Sequence, residues 1–526
     1  MKLPLAVWGN RPGPGANSGA ASDVTSGRLL RNTLVNGFAN ASNALVTLAL
    51  TPYLLHTLGA EQYGVWLLAL SLTFSSGYVA LADLGLPEAS VRFIAEARAT
   101  GSAQTINEIA STTTAVFVLL GLISAVAVVA IAPVLVGFFG VSDPLEATAK
   151  LLFAVVGIGI LIEVPTMAPL AVIEGTQRYG WLRILDVGGR LAWAVLVVSA
   201  LLSGHGVLAL AVALLVVTVV KAVAALAVSF RVQPGLGIRL GLVSRRMLRR
   251  IVTFGSKLTV LRGLSVIYAQ MDRAIIGVAL GAVAIAKYEI AFRLQSVAIL
   301  VMVMASSSVL PAAAYNAGRG DEQKQRELYL RGTKYAVALV VPPTLATIIF
   351  ARQLILSWVG DGYVAMTTPA RLFLVYPLLG CLQQVGIAML LGLGRVRRVL
   401  VLQAIAVAIN LVLSIVLVKF LGIKGVILGT LIGNTIVWLP YTRYLLDTFA
   451  VSVQTWFRRI VFPNLPSTAA QVIVGLFVLR WVGSLDSLWA VLGAWGFTCF
   501  VSLGVFAATG LDEDERRHLW ARVRSG

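Results

Sequence analysis

The feature that most constrains this chain is the recurrence of apolar blocks of about twenty residues or more, separated by short polar gaps. A block of that length crosses a hydrocarbon core of about 30 Å as a helix. Inside lipid every backbone N–H and C=O must be satisfied within the segment, so such blocks are read as helices and not as loops or open strands. The short alternating stretches of a transmembrane β-barrel are absent from the sequence. Composition agrees: 58% of the 526 residues are hydrophobic and only 12% are charged, too few charges to cover a soluble surface of this size. The expected fold class is an all-α polytopic membrane protein.

About fourteen spans are expected: 33–58, 64–86, 110–139, 149–174, 181–203, 205–230, 251–279, 287–313, 331–351, 369–391, 398–420, 423–448, 467–483 and 487–508. Lys and Arg set their orientation. Alternate gaps are basic: Arg92 and Arg98, Arg178 and Arg183, Arg245 to Arg250, Arg319 to Lys334, Arg395 to Arg398, then Arg458 and Arg459. The intervening gaps, 59–63 and 140–148 among them, are acidic or neutral. Both termini are therefore expected in the cytoplasm of a cell whose inner membrane holds the chain. Residues 1–27, rich in Gly, Pro, Ala and Ser, read as a disordered tail, and the apolar run 3–8 is too short for a signal-peptide core. Residues 89–109 and 454–462 mix aromatic and aliphatic residues with arginines, as helices at headgroup level do.

An internal repeat organises the first twelve spans. Leu58-Gly59-Ala60 is matched by Leu280-Gly281-Ala282, Leu86-Pro87 by Leu310-Pro311, and Gly206-Val207 by Gly425-Val426, all near one offset. Two six-helix lobes (28–230 and 251–450) are expected, joined by a basic linker at 231–250. An interfacial segment at 451–466, two further helices within 467–510 and a cytoplasmic tail at 511–526 complete the division. Parallel repeats of this kind are related by an axis along the membrane normal, with a pathway between them.

The formal net charge of +19 does not indicate nucleic acid, because the cations punctuate the apolar blocks instead of covering one soluble face. Anionic membrane lipids are the partner it suggests. Cys381 and Cys499 lie in apolar blocks, and His56, His205 and His518 are dispersed, so no metal site or disulfide framework is implied. There is no G-x-x-x-x-G-K-[ST] loop and no nucleophile–His–acid pattern; no cofactor is expected and the chain is not read as an enzyme.

Polar groups inside the apolar blocks carry the functional information, since each is costly in hydrocarbon unless it faces protein or water. Asn32, Asn36, Asn40, Asn43 and Thr47 form one helical stripe in the first span, and Gln403, Asn410 and Ser414 form another in the eleventh. Stripes of this kind glue helices together or line a wet cavity. Arg262 lies about 16 Å along its helix, too deep for easy snorkelling, and Arg190 and Lys221 lie about 13 Å along theirs. For Lys257, Arg273 and Arg293, snorkelling and function remain side by side. Three acids are candidates for coupling an ion. Asp272 beside Arg273 and Glu289 one turn before Arg293 favour structural pairing, whereas Glu163 has no basic neighbour in sequence. Glu163 is a candidate proton or cation carrier, or the ion-pair partner of Arg190 or Lys221.

Residues 32–72, with Pro52, Leu58-Gly59, Glu61, Tyr63-Gly64 and Trp66, resemble the first hairpin of polysaccharide-unit flippases. Those proteins carry O-antigen or exopolysaccharide units and belong to the multidrug/oligosaccharidyl-lipid/polysaccharide exporter superfamily. The runs Asp83 to Glu96, Glu174 to Tyr179, Met271 to Arg273 and Leu421 to Gly425 resemble later elements in the same order. The resemblance covers residues 30–450. The final pair of helices is similar to that of lipid II flippases. It implies a central cavity opening alternately to each side, a monomer, and a polyprenyl-pyrophosphate-linked glycan as cargo, handed on to polymerase or export proteins. Arginine forks suit pyrophosphate oxygens, so Arg262, Arg190, Lys221, Arg273, Arg293 and Lys257 become candidate ligands for it. Asn36, Asn40, Asn43, Gln403 and Asn410 become candidates for sugar hydroxyls. The rival readings are a drug/cation antiporter of the same superfamily and, less favoured, a membrane polysaccharide polymerase.

Overall fold

The computed structural model describes residues 18–73, 77–83, 85–306, 309–318, 320–481, 486–512 and 515–516, with side chains except at 18–41, 43, 82, 257–262, 310 and 311. The described residues are mostly helical and contain no strand. The first half comprises α1 (Ser18–Leu70), α2 (Leu86–Ala99), α3 (Ala103–Phe138), α4 (Asp143–Gly175), α5 (Tyr179–Leu202) and α6 (Leu208–Val232). The second half comprises α7 (Arg245–Leu280), α8 (Ala282–Ser306), α9 (Val309–Gly318), α10 (Glu322–Ile349), α11 (Ala351–Val359), α12 (Thr367–Gly392), α13 (Val396–Leu421) and α14 (Ile423–Thr448). The end of the chain adds α15 (Val453–Trp456), α16 (Phe462–Trp481) and α17 (Leu488–Thr509).

Twelve helical stretches among the described residues are long and apolar enough to cross a membrane, and they correspond to the third through fourteenth expected spans. The first two expected spans fall in α1, which breaks at Gly59 (φ 76°, ψ 167°). The chain is a multi-pass membrane protein. Many large apolar side chains face outward, as lipid contact requires; Leu119, Val126 and Phe138 on α3 are examples.

The repeat is visible in the backbone. Glycines with positive φ close the helical hairpins in pairs: Gly59 with Gly281, Gly101 with Gly320, Gly140 with Gly360, and Gly204 with Gly422, each pair about 220 residues apart. Gly281 (φ 82°, ψ 177°) nearly reproduces the geometry of Gly59. Gly59, Gly140, Gly204, Gly281, Gly360 and Gly422 mark one end of the bundle, the hairpin end. The arginine-rich gaps mark the other, the basic end.

Several expected boundaries shift. The second span does not continue as one helix to residue 86. Helix α1 ends at Leu70, where Ser71 and Thr73 turn their hydroxyls back onto the carbonyls of Leu68 and Leu70. The chain then doubles over, Tyr78 N–H reaching Ser71 O at 2.7 Å, before a 3₁₀ turn at Tyr78–Asp83. Only glycine fits at Gly77, where a Cβ would stand 2.3 Å from Ser71 O. The segment 89–109 divides into α2 and the start of α3 at Gly101 (φ 72°), and the apolar face of α2 (Phe93, Ile94) is buried against protein. The segment 454–462 is not separate either. A π-helical turn at Phe457–Val461 carries α15 directly into α16. The basic residues Arg245 to Arg250 belong to the first turns of α7, capped by Ser244, and not to a linker. Helix α1 likewise begins at Ser18, inside the tail expected at 1–27.

What remains of the linker is tied to α3. Asn107 Nδ2 donates to Gly235 O (3.1 Å) while its Oδ1 accepts from Gly237 N (3.0 Å). Ser111 Oγ accepts from Arg239 N (3.0 Å), and Thr112 Oγ1 accepts from Ser244 N (3.1 Å). The crossing between halves is therefore a fixed strap.

Candidate functional site

A cavity of ≈ 360 Å³ lies among α1, α4, α5, α6 and α8. Four of the charged candidates converge on it: Glu163 from α4, Arg190 from α5, Lys221 from α6 and Arg293 from α8. Asp186, one turn before Arg190, lines it too and was not anticipated from the sequence. The available signal was its i, i+4 spacing to Arg190, which puts both charges on one helix face.

The electrostatics are uneven. Lys221 Nζ lies 2.7 Å from Asp186 Oδ1, each side chain about one-third exposed. Arg190 makes no ion pair among the described residues and is exposed to the cavity. Glu163 also borders a second cavity of ≈ 80 Å³, whose wall includes Leu70 and Thr73 where α1 unwinds. Thr47, Thr51, Thr166 and Thr218 supply hydroxyls. Trp66 and Trp193 stack at 6.1 Å between centroids with 13° between planes, and both face the cavity. Trp193 is oriented by donating from Nε1 to Leu210 O (3.3 Å).

Arg293 is held from behind. Its Nη2 lies 2.5 Å from Glu289 Oε1, while the other carboxylate oxygen, Oε2, accepts from Arg273 Nε (3.1 Å) and Nη2 (2.9 Å). Glu289 is fully buried. Pairing of Glu289 with Arg293 was expected; its second arginine was not. Arg273 completes its fork with Gln270 Oε1 (3.0 Å) and sits over the Phe292 ring at 4.6 Å. Its side chain is thus committed inside the protein and neither snorkels nor faces the cavity.

The pairing of Asp272 with Arg273 has to be corrected. Asp272 and Arg273 are neighbours in sequence, so they point about 100° apart around the helix. Asp272 Oδ2 accepts instead from Tyr288 Oη (3.0 Å) and Thr430 Oγ1 (3.2 Å). Thr430 Oγ1 lies 3.2 Å from Asn410 Oδ1, which accepts from Ser414 Oγ at 2.8 Å. Asp272 Oδ1 and Asn410 Nδ2 are buried and make no hydrogen bond among the described residues. Asn410 therefore belongs to a closed polar knot between α7, α8, α13 and α14 and not to the wall of the large cavity. The stripe of the eleventh span divides: Asn410 and Ser414 glue helices, and Gln403 borders a separate space of ≈ 60 Å³. The side chains of Asn36, Asn40, Asn43, Lys257 and Arg262 lie outside the described residues.

The halves touch at both ends of the bundle. At the hairpin end Gly64 packs on Ala282, where a Cβ would stand 2.0 Å from the carbonyl oxygen. Trp358 Nε1 there donates to Leu48 O (2.9 Å). At the basic end Gly85 packs on Gly255 O, with a Cβ distance of 2.3 Å. Arg250 bonds Glu96 (3.0 Å) and lies over Phe93, while Arg92 lies 4.2 Å from the Phe254 ring centroid. The two sets of contacts bracket the cavity.

Comparison with known proteins agrees with this architecture. The Shigella flexneri protein described as a putative O-antigen transporter is 22% identical over 343 residues, covering 64% of this chain and 78% of its own. The lipid II flippase MurJ in an inward closed conformation superposes with a TM-score of 0.70 at 12% identity, covering 90% of this chain and 97% of its own. An inward-facing multidrug resistance MATE family transporter of the MOP superfamily gives 0.65 at 18% identity, over 78% and 94%. These structures share the fold. A MatE family model matches residues 259–416. The model described as polysaccharide biosynthesis protein matches residues 29–315, more than half of the sequence, and the chain belongs to that family.

Proposed function

We propose that this protein is a flippase that carries polyprenyl-pyrophosphate-linked oligosaccharide repeat units from the cytoplasmic to the outer leaflet of the inner membrane, for polysaccharide export. The observation that carries this reading is the mixed wall of the ≈ 360 Å³ cavity: Arg190, Lys221 and Arg293 beside Trp193, which stacks on the buried Trp66. Guanidinium and ammonium groups recognise phosphate oxygens by charge-assisted bonds, and aromatic faces suit the apolar faces of sugar rings. The volume lies within the usual range for ligand sites and suits a pyrophosphate with its first sugar. The basic end faces the cytoplasm under the positive-inside rule. Transport alternates between breaking the Gly85–Gly255 contact and breaking the Gly64–Ala282 contact, as one half rocks on the other. Arg262, singled out in the sequence by its depth along its span, is proposed as a further ligand of the same cargo.

Coupling is assigned to two carboxylates. Asp272 is surrounded by Thr430, Asn410 and Ser414 and has an oxygen left over, so a proton or a small cation there would complete its bonding. Glu163 at the cavity wall is the second. Glu289, ion-paired with two arginines, acts as a structural anchor for Arg293 and not as a carrier.

A drug/cation antiporter is the second reading, favoured by Glu163 and Asp186 in the same cavity. One experiment separates the two. Deletion of the gene should leave lipid-linked repeat units on the cytoplasmic leaflet, and restoring the wild type but not Arg190→Ala should clear them. Normal glycan export in the deletion strain, with lost efflux of a cationic dye, would favour the antiporter.

A further inference from the structure

A second charged space lies far from the cavity, at the basic end between α10 and the π-helical turn. It measures ≈ 700 Å³. Arg326, Arg331 and Lys334 of α10 enter it from one side, Arg458 and Arg459 from the other. The π-turn explains why two consecutive arginines both reach the same space. Its wider winding changes the angle between successive side chains, and such turns recur at functional sites.

The acids there do not match these cations one to one. Glu327 is shared, bonding Arg331 and lying 3.0 Å from Arg459 Nη1. Arg326 and Arg458 make no ion pair among the described residues. Lys334, 4% exposed, is satisfied from the end of the chain: its Nζ lies 2.5 Å from Glu515 Oε2 and 3.4 Å from Gly510 O. Glu515 belongs to an acidic run, Asp512 to Glu515, and the described Asp512 also borders the space. A carboxylate of the chain's own tail therefore occupies a cationic site.

The surroundings identify what competes with it. Val453, Phe457, Phe462 and Leu465, on the same helical run as the two arginines, are 44–59% exposed. In a membrane protein such a face is covered by acyl chains. Arginines inward and aromatic rings outward on one run is the pattern of a segment at headgroup depth.

We propose that this basin binds the phosphate of an anionic phospholipid headgroup, with the acyl chains along the Phe457–Leu465 face, and that the acidic tail competes for the same cations. The bound lipid would fasten α16 and α17 to α10, where Gln471 Nε2 donates to Pro342 O (2.7 Å) and Trp495 Nε1 to Thr347 Oγ1 (3.0 Å).

Native mass spectrometry of the full chain tests this, with the protein exchanged into micelles doped with equal phosphatidylglycerol and phosphatidylcholine. The wild type should retain phosphatidylglycerol preferentially. Arg458→Gln with Arg459→Gln should reduce that retention by about five-fold per arginine. Glu515→Gln, which frees Lys334, should increase it. Inorganic pyrophosphate in millimolar excess should displace the lipid if phosphate is what the basin reads, and a site for soluble phosphate alone would show pyrophosphate adducts without lipid preference. Arg395→Gln with Arg397→Gln, a basic pair elsewhere at the same end, should leave the preference intact. Equal loss in that control, no preference in the wild type, or unchanged retention in Glu515→Gln would each overturn the proposal.

Discussion

The first and second halves are built on one repeat, yet they treat their buried polar groups in opposite ways. In the first half α4, α5 and α6 bring Glu163, Asp186, Arg190 and Lys221 to an open space of ≈ 360 Å³. In the second half the corresponding α12, α13 and α14 carry Gln383, Gln403 and Asn434 around only ≈ 60 Å³. Two of those amides are consumed by packing. Gln383 Nε2 donates to Trp438 O and Thr442 Oγ1, both at 2.7 Å, and Asn434 Nδ2 donates to Thr430 O (2.7 Å) and Tyr268 Oη (3.0 Å). Neutral amides can be buried once bonded, whereas an ammonium or guanidinium stays charged and needs an anion or a ligand. Around the large cavity the first half therefore keeps charged groups open to a space, whereas the matching helices of the second half bond their amides to one another. The charges of the second half, Asp272, Arg273 and Glu289, lie on α7 and α8 and are bonded within the protein.

The largest expected effect attacks the joint between them. Glu289→Gln removes the one buried anion shared by Arg273 and Arg293, leaving two partly buried cations without it. A loss of about 3–5 kcal/mol is expected, read as a lower melting temperature in detergent and reduced membrane-inserted yield. A variant as stable as the wild type would mean that Arg293 is positioned by something else.

Next comes the cavity itself. Arg190→Ala should lower glycan export by about ten- to hundredfold with stability unchanged, the size expected for a lost charge-assisted bond. Arg262→Ala should behave alike, and Arg190→Lys should recover only part, because Lys lacks the planar fork. Gln403→Ala, in the second half, should change export far less. If Gln403 and Arg190 matter equally, the contrast between the halves fails.

Coupling sharpens the comparison further. Asp272→Asn should retain lipid-linked cargo binding yet lose stimulation by an imposed proton or sodium gradient in proteoliposomes. Glu163→Gln distinguishes whether the first half shares this role. Loss of the gradient response in both variants assigns coupling to the two halves jointly, and loss in Asp272→Asn alone confines it to the second. An intact response in both would remove carboxylate coupling from the mechanism.

The smallest effects belong to partly exposed or peripheral pairs. Lys221 and Asp186 are solvated from the cavity, so exchanging them should alter stability by no more than about 1 kcal/mol. Export should still fall, because the cation has moved to another helix. At the tail, burial raises the Glu515 pKa, but the Lys334 ammonium and its hydrogen bonds outweigh that and hold the carboxyl below the ordinary glutamate value. The bond is thus fully present above the unfolded value of about 4.3 and lost as pH falls through the lower folded value. Protease cleavage within the tail should therefore stay slow at neutral pH and accelerate only in acid.

Hydropathy alone located the third through fourteenth spans, because a bilayer imposes length and polarity on each helix separately, and matched Leu-Gly-Ala, Leu-Pro and Gly-Val motifs gave the repeat. Depth along a helix also singled out Glu163, Arg190, Lys221 and Arg262 as candidates, since a charge far from either end has few places to go, whereas Arg293 lay near enough to its helix end to snorkel. The partners were decided only by the tertiary structure. Glu289 sits one turn from Arg293, yet its second arginine comes from α7. Asp272 turned from its neighbour Arg273 to Tyr288 and Thr430. Asn410, on a stripe that suited a wet wall equally well, was placed in a dry knot. Lys334 met Glu515, distant in sequence, only because α16 and α17 return the tail to the start of α10. Periodicity states which face of a helix a side chain occupies; what stands opposite that face is set by how the helices pack.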